Sequence, residues 1–297
     1  MPPPRAGIVA VAGKPNAGKS TLLNRLVGQK LSIVSPKPQS TRDRIVGIRT
    51  ADGVQMVLLD TPGLLTPRYA LQEAMRASAL RALRDADVIL YLVDATAAPP
   101  VPLSEAAELD APPRAPVVLA LNKSDAVAAE TRERLVAEHA GSVAISALTG
   151  DGVAALLDAI GAALPESPYL YPEEEISTQP LRFFVAELIR ETALEELDEE
   201  VPYSVACEIQ EFREGQAPVY IRATIHVERD SQKGILIGAR GSMIRRIGER
   251  ARKKVELLVG SAVYLDLSVK VLDNWRRKPQ ALRRFGYRTQ PEKGRKP

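Results

Sequence analysis

Apolar residues in the first half of the chain fall in short, nearly unbroken runs at 8–11, 45–50, 56–60, 88–94, 117–122 and 143–146. A run such as Val88-Ile89-Leu90-Tyr91-Leu92-Val93 has no polar face, which suits a strand covered on both sides. Between these runs lie longer stretches of helical spacing, 21–27 and 154–164 among them. Strands alternating with helices predict an α/β fold, a mainly parallel sheet with helices on both faces. After residue 164 the pattern breaks, because Pro165, Pro168 and Pro172 with Glu173-Glu174-Glu175 cannot continue a helix. A first domain over 1–170 is therefore expected, with its linker starting near 165. Beyond the break, 181–197 reads as an amphipathic helix and 203–209 as strand-like. In 219–227, Val219, Ile221, Ala223, Ile225 and Val227 alternate with Tyr220, Arg222, Thr224 and His226, the period of a strand with one buried face. A helix over 242–258 and a strand over 263–271 complete a small α+β domain over 171–290. Residues 291–297 are expected to form a disordered basic tail.

Composition agrees with two folded domains. The chain has 297 residues, 45% hydrophobic and 26% charged, enough apolar surface for real cores and too much for wholesale disorder. One cysteine, Cys207, excludes an intramolecular disulfide framework and fits a reducing compartment; the reading is cytoplasmic. On parity with Val205, it reads as a core residue. No uncharged apolar run approaches the ~18–20 residues that span a bilayer. His139 and His226 are isolated and match no metal spacing. The net charge of +3 hides a strong asymmetry: residues 1–170 carry 17 basic and 17 acidic side chains, 171–212 carry 2 and 12, and 213–297 carry 21 and 8. A basic C-terminal third is what a phosphate-neutralising surface requires, although a solvated basic helix face would look the same. The acidic run at 195–200 reads as a solvated helix end that could also repel RNA.

Gly13-Lys14-Pro15-Asn16-Ala17-Gly18-Lys19-Ser20, followed by Thr21, matches the P-loop pattern directly after a strand and before a helix. The glycines let backbone N–H groups face phosphates, Lys19 brings a charge to the β- and γ-phosphates, and Ser20 brings a hydroxyl to Mg²⁺. Asp60-Thr61-Pro62-Gly63 closes a second strand, so Asp60 can hold the magnesium and Gly63 can offer its N–H to the γ-phosphate. Between them the polar, proline-containing stretch 35–44 reads as a switch loop with Gln39, Ser40 and Thr41. Thr41 is the expected magnesium-reaching hydroxyl, with Ser40 as its competitor.

Asn122-Lys123-Ser124-Asp125 after the fifth run points to guanine. The Asp125 carboxylate can accept from guanine N1 and N2, Lys123 can lie along the ring, and Asn122 can brace the loop. Ser146-Ala147 would set a backbone N–H against O6. GTP and GDP with Mg²⁺ are thus the expected ligands. Leu64 stands where many small GTPases place a water-positioning glutamine, so slow intrinsic hydrolysis is expected. Asn16 either coordinates a monovalent cation such as K⁺ or shapes the loop by a hydrogen bond.

In the basic third, Gly238-Ala239-Arg240-Gly241 is a G-x-x-G loop flanked by Ile237, Ile244 and Ile247 and followed by Arg245, Arg246, Arg250, Arg252, Lys253 and Lys254. Two glycines permit close approach to phosphates, and apolar flanks suit a groove for unstacked bases, the arrangement of a KH domain of type II. Trp275, beside Arg276, Arg277 and Lys278, either stacks on a base or packs over a helix end.

With these motifs in this order, the chain resembles the Era family of bacterial ribosome-associated GTPases over almost its whole length, from the P-loop through Gln39-Ser40-Thr41-Arg42 to the terminal Phe285-Gly286-Tyr287. The resemblance implies a GTP-controlled factor in small (30S) ribosomal subunit assembly that binds 16S rRNA near its 3′ end, with some peripheral membrane association. It also implies that Leu64 is normal here, and that Ser40, threonine in relatives, leaves Thr41 intact. A monomer is expected. The competing reading is a GTPase of tRNA modification or large-subunit assembly, which would want a C-terminal cysteine or a second P-loop, and the chain has neither.

Overall fold

The computed structural model describes residues 3–97, 99–215 and 217–289. By internal contacts the chain divides into two compact units, one running through Pro67 and resuming at Met75–Thr178, the other taking Arg68–Ala74 and the chain from Gln179.

The first unit is built on strands β1 (Arg5–Ala12), β2 (Ile45–Ala51), β3 (Val54–Asp60), β4 (Val88–Asp94), β5 (Val117–Asn122) and β6 (Val143–Ala144), in the spatial order β2-β3-β1-β4-β5-β6. All neighbours are parallel except the β2–β3 hairpin. Helices α1 (Lys19–Val27), α2 (Ala70–Asp85), α3 (Leu103–Ala106), α4 (Ala129–Glu138) and α5 (Val153–Ala163) connect them. Alternation along the strands assigns the faces. Ala10, Ala12, Val46, Ile48, Val57 and Leu59 pack with Ala79 and Ala82 of α2 and Leu103 of α3. Gly47, between Val46 and Ile48, faces the other way, toward Leu23 and Val27 of α1. The parallel strands thus end along one edge, where an open α/β sheet collects its ligand-binding loops.

The linker differs from its expected place. Prolines do break the helix, but the chain after 165 stays hydrogen-bonded to the first unit. Gln55 Oε1 accepts from Leu170 N at 2.7 Å and Tyr171 N at 2.9 Å, and Gln55 Nε2 donates to the Tyr171 carbonyl at 2.8 Å. Ile48 N donates to the Ile176 carbonyl and Ser177 Oγ to that of Val46. Contacts therefore divide the chain after Thr178, not near 170.

The second unit follows the order α6 (Leu181–Glu196), α7 (Val201–Ser204), β7 (Ala206–Arg213), β8 (Val219–Val227), α8 (Asp230–Ile237), α9 (Ser242–Val259), β9 (Val263–Val271) and α10 (Pro279–Arg284), with a 3₁₀ turn at Trp275–Arg277. Its sheet runs β7-β8-β9, antiparallel then parallel. The alternating residues of β8 are buried with Val185, Ile189 and Ala193 of α6 and Ile247, Ala251 and Val255 of α9. The strand expected at 203–209 begins only at Ala206, because Pro202 sits in the first turn of a short helix there. Cys207 is half-buried beside this core, and burial pushes its thiol up. The other sheet face holds Thr224 and His226, both buried, under the C-terminal segment: the Phe285 ring lies 5.2 Å from His226 and 5.1 Å from Trp275. The expected tail at 291–297 lies outside the described residues.

Candidate functional site

At the carboxyl edge of the first sheet, the Gly13–Ser20 loop leads from β1 into α1, and Thr21 lies within α1. Gly18 has a φ of +96°, and a Cβ there would lie 2.2 Å from Asn122 Nδ2, so any larger residue would displace the side chain that braces the loop. Lys19 is buried, its Nζ donating to the carbonyls of Gly13 at 3.1 Å and Lys14 at 2.9 Å. Burial lowers its pKa to about 8, with Asp60 opposing the shift. Pro15, Gly18, Lys19, Ser20, Thr21 and Lys123 line a cavity of about 390 Å³.

Three oxygens converge beside Lys19. Ser20 Oγ donates to Asp60 Oδ2 at 2.8 Å and lies 2.9 Å from Thr41 Oγ1, which in turn donates to Asp60 Oδ2 at 3.3 Å. Thr41 is buried there, and it rather than Ser40 reaches this position. Asp60 Oδ1 is buried with no hydrogen-bond partner among the described residues, and burial raises its carboxyl pKa above the ordinary value. Hydroxyl and carboxylate oxygens with an unsatisfied buried lone pair are a donor set that fits a hard cation such as Mg²⁺.

The Asp60-Thr61-Pro62-Gly63 stretch is pinned by Thr61 Oγ1, which donates to the Val11 carbonyl at 2.8 Å. Gly63 approaches the P-loop so closely that a Cβ would lie 2.7 Å from Pro15 N. Leu64 turns its side chain into the core and donates its N–H to the Gly13 carbonyl at 3.0 Å, so it has no part in holding a water. Asn16 Nδ2 donates to the Pro36 carbonyl at 3.0 Å, which ties the P-loop to the switch loop containing Gln39 and Ser40.

Asn122 is buried and bridges two loops, donating to the Ala17 carbonyl at 2.7 Å and accepting from Ala147 N at 2.8 Å. The Ala147 N–H expected at O6 is thereby held by Asn122. Ser146 is buried, its Oγ accepting from Thr149 N. Asp125 is exposed, two residues after Lys123, which lines the cavity.

Two further residues, not singled out from the sequence, set this loop pair. Asp94, opposite Asn122 in the β4–β5 register, binds Lys123 Nζ at 2.6 Å and accepts from Thr96 N and Oγ1. Burial works to raise the Asp94 carboxyl, but its hydrogen bonds with Lys123 and Thr96 prevail and hold it below the usual carboxylate range. Arg25 of α1 donates from Nε to the Ala147 carbonyl at 2.7 Å and also to that of Leu148.

In the second unit, Gly238-Ala239-Arg240-Gly241 joins α8 to α9, with both glycines at positive φ and Arg240 exposed. Arg245 and Lys253 are exposed on α9 and form no ion pair among the described residues. Arg246 does not stand free, because its Nε binds Glu196 at 2.7 Å. Arg250 binds Glu195 and Glu196, and Lys254 binds Glu191 at 3.0 Å and Glu195 at 2.7 Å. The start of the acidic run is thus an ion-paired helix face, not a solvated end. Ile247 is fully buried and cannot line a base groove, whereas Ile237 and Ile244 remain partly exposed.

A family model described as 50S ribosome-binding GTPase matches residues 8–123, and one described as KH domain matches 200–276. The GTPase Era of Carboxydothermus hydrogenoformans is 44% identical over 293 residues, 95% of this chain and 98% of that one. That of Thermotoga maritima is 45% identical over 283 residues, 92% and 94% of the two chains.

This chain belongs to the Era family.

Solved Era structures carry the likeness into three dimensions. An Aquifex aeolicus Era variant bound to GDP.AlF4- aligns with a TM-score of 0.89 at 40% identity, covering 95% of this chain and 99% of the other. Era in complex with MgGDPNP and nucleotides 1506-1542 of 16S ribosomal RNA aligns at 0.89 and 39%, covering 96% and 99%. This Era-family chain is a GTPase with a P-loop domain followed by a KH domain, and it uses GTP, GDP and Mg²⁺. Among its described residues no helix is long and apolar enough to cross a membrane.

Proposed function

We propose that this chain is a GTP-controlled RNA-binding factor of small-subunit assembly, acting on the 3′ end of 16S rRNA and the 30S precursor. The observation that carries the reading is the full-length likeness to an Era bound at once to MgGDPNP and 16S rRNA nucleotides. The P-loop amides and Lys19 bind the phosphates, while Asn122 holds the two base loops together and Asp125 selects guanine. Mg²⁺, held by Ser20, Thr41 and Asp60, supplies positive charge to the β- and γ-phosphates. Thr41 and Gly63 report the γ-phosphate, since each lies against the P-loop residue it would share with that group. With Leu64 in the core, hydrolysis by the isolated chain is slow. Gly238, Ala239, Arg240, Gly241, Arg245 and Lys253 form the RNA-facing surface, and Arg246 joins it on release from Glu196.

The chain acts as a monomer in the cytoplasm, with peripheral contact at the membrane's inner face. Asn16, beyond its bond to Pro36, lends its side-chain oxygen to K⁺; equal turnover in potassium and sodium refutes that role. The deciding experiment measures affinity for 16S rRNA nucleotides 1506-1542 with GTP analogue and with GDP. Tighter binding with the analogue is expected. Equal affinities refute nucleotide control, and stronger crosslinking to large-subunit particles or tRNA places the chain in another RNA pathway.

A further inference from the structure

The N–H expected at guanine O6, that of Ala147, is spent on Asn122 Oδ1 at 2.8 Å. The rest of the loop over 146–151 shows which N–H remains. Ser146 N donates to the Asp151 carbonyl at 2.9 Å and Gly150 N to the Ser146 carbonyl at 2.8 Å. Thr149 N donates to Ser146 Oγ at 3.0 Å and Asp151 N to Thr149 Oγ1 at 3.3 Å. Within this loop only the Leu148 N–H lacks a hydrogen-bond partner among the described residues, and Leu148 is 72% exposed.

That N–H shares a peptide plane with the Ala147 carbonyl, and Arg25 grips this carbonyl. The guanidinium donates from Nε to the Ala147 carbonyl at 2.7 Å and from Nη2 to that of Leu148, a two-pronged contact that a planar fork makes and a lysine cannot. A peptide is planar and trans, so holding the carbonyl fixes the Leu148 N–H on the side away from Arg25. Positive charge at the carbonyl also polarises the amide and strengthens its N–H as a donor. Gly150 makes room for the guanidinium: its φ is +100°, and a Cβ there would lie 2.8 Å from Arg25 Nη1. Arg25 stands on α1, about 9 Å along the helix from Lys19. Asn122, the other support of the loop, is braced against the Ala17 carbonyl at 2.7 Å. Both supports of the base loop therefore rest on the P-loop and its helix, the elements that bind the phosphates.

We propose that Arg25 is a positioning residue for guanine recognition, which presents the Leu148 N–H to O6 and ties the base loop to the phosphate-binding helix. The proposal rests on the guanine-site reading above and adds a contact at O6 to the Asp125 contacts at N1 and N2. Arg25 acts through the peptide. An amide donor rewards a carbonyl at C6 and meets another donor in the adenine amino group, so the same peptide selects against adenine.

The test titrates the full chain and its Arg25→Ala variant with GDP, inosine diphosphate and 2-aminopurine riboside diphosphate. Inosine diphosphate keeps O6 and lacks the 2-amino group, whereas the 2-aminopurine nucleotide keeps that amino group and has no oxygen at C6. Arg25→Ala is expected to weaken GDP and inosine diphosphate alike, about tenfold, and to leave the affinity for the 2-aminopurine nucleotide as it was. The last affinity also shows that the variant is folded. Unchanged GDP affinity overturns the proposal. An equal loss for all three nucleotides overturns it too, since Arg25 would then support the fold or the phosphates rather than the O6 contact. Where Arg25→Ala binds no nucleotide, Arg25→Lys, which keeps the charge without the fork, is titrated in its place; the same pattern is expected at smaller size, and the same two results overturn it. If the unaltered chain binds adenosine diphosphate as tightly as GDP, the guanine-site reading itself fails.

Discussion

Asp125 stands exposed, two residues after the cavity-lining Lys123, with no hydrogen bond to protein among the described residues, so its carboxylate is free to accept from a base. Asp125→Asn replaces two acceptors by one acceptor and one donor, which leaves a guanine N–H unpaired. GDP affinity is expected to fall about 100-fold, roughly 2.7 kcal/mol, while xanthosine diphosphate, whose C2 carbonyl accepts from an amide, binds better. Calorimetric titration of both nucleotides checks this. A second residue-scale expectation concerns pH. His226 is buried with its Nδ1 unpartnered among the described residues, and it faces Glu208 at 3.0 Å, Arg284 and Lys270. Burial lowers its pKa, outweighing the Glu208 carboxylate. The unfolded chain therefore takes up a proton first as pH falls below ~6.5, and the second unit loses stability from there downward. Melting between pH 7.5 and 5.5 should show the loss, and His226→Gln should flatten it.

Among the elements, α6 and α9 illustrate how charge read along a chain differs from charge in a fold. The acidic run and the basic helix are separate blocks in sequence, and nothing in either says that Glu195 and Glu196 meet Arg246 and Arg250. That pairing comes from the two helices packing side by side on one sheet face. Glu195→Gln/Glu196→Gln should raise RNA affinity several-fold at 50 mM salt, with the gain vanishing near 0.5 M, and, because the Glu196 carboxylate is buried between two arginines, cost more stability than the ~1 kcal/mol of an exposed pair. Filter binding across a salt series measures it. Elements are legible where one pattern dominates: 88–94, 117–122, 219–227 and 263–271 match their strands residue for residue, being near-continuously apolar or strictly alternating in sequence. Boundaries with competing signals were not, as where Pro202 starts a helical turn within a β-like run. The nucleotide motifs were legible because P-loop and Asn122-Lys123-Ser124-Asp125 chemistry is local in sequence. Asp94 and Arg25 were hidden because their roles depend on strand register and on which loop faces α1.

At the scale of the molecule, each unit has its own core, and the two should respond separately to perturbation. Trp275→Ala empties a fully buried site and breaks its bond to Ser204, a change expected to cost about 3–5 kcal/mol in the second unit. Calorimetry should show that transition fall while GDP still raises the first unit's transition by mass action. The segment after residue 165 has a consequence of another kind. β2 is the outermost strand, with β3 on one side only, and a bare strand edge is a template for another chain. Ile176 and Ser177 occupy part of that edge by bonding to Ile48 and Val46. Those bonds leave that stretch of β2 less open to strand addition. A chain nicked between residues 172 and 179 should scatter light increasingly with concentration, where the intact chain does not.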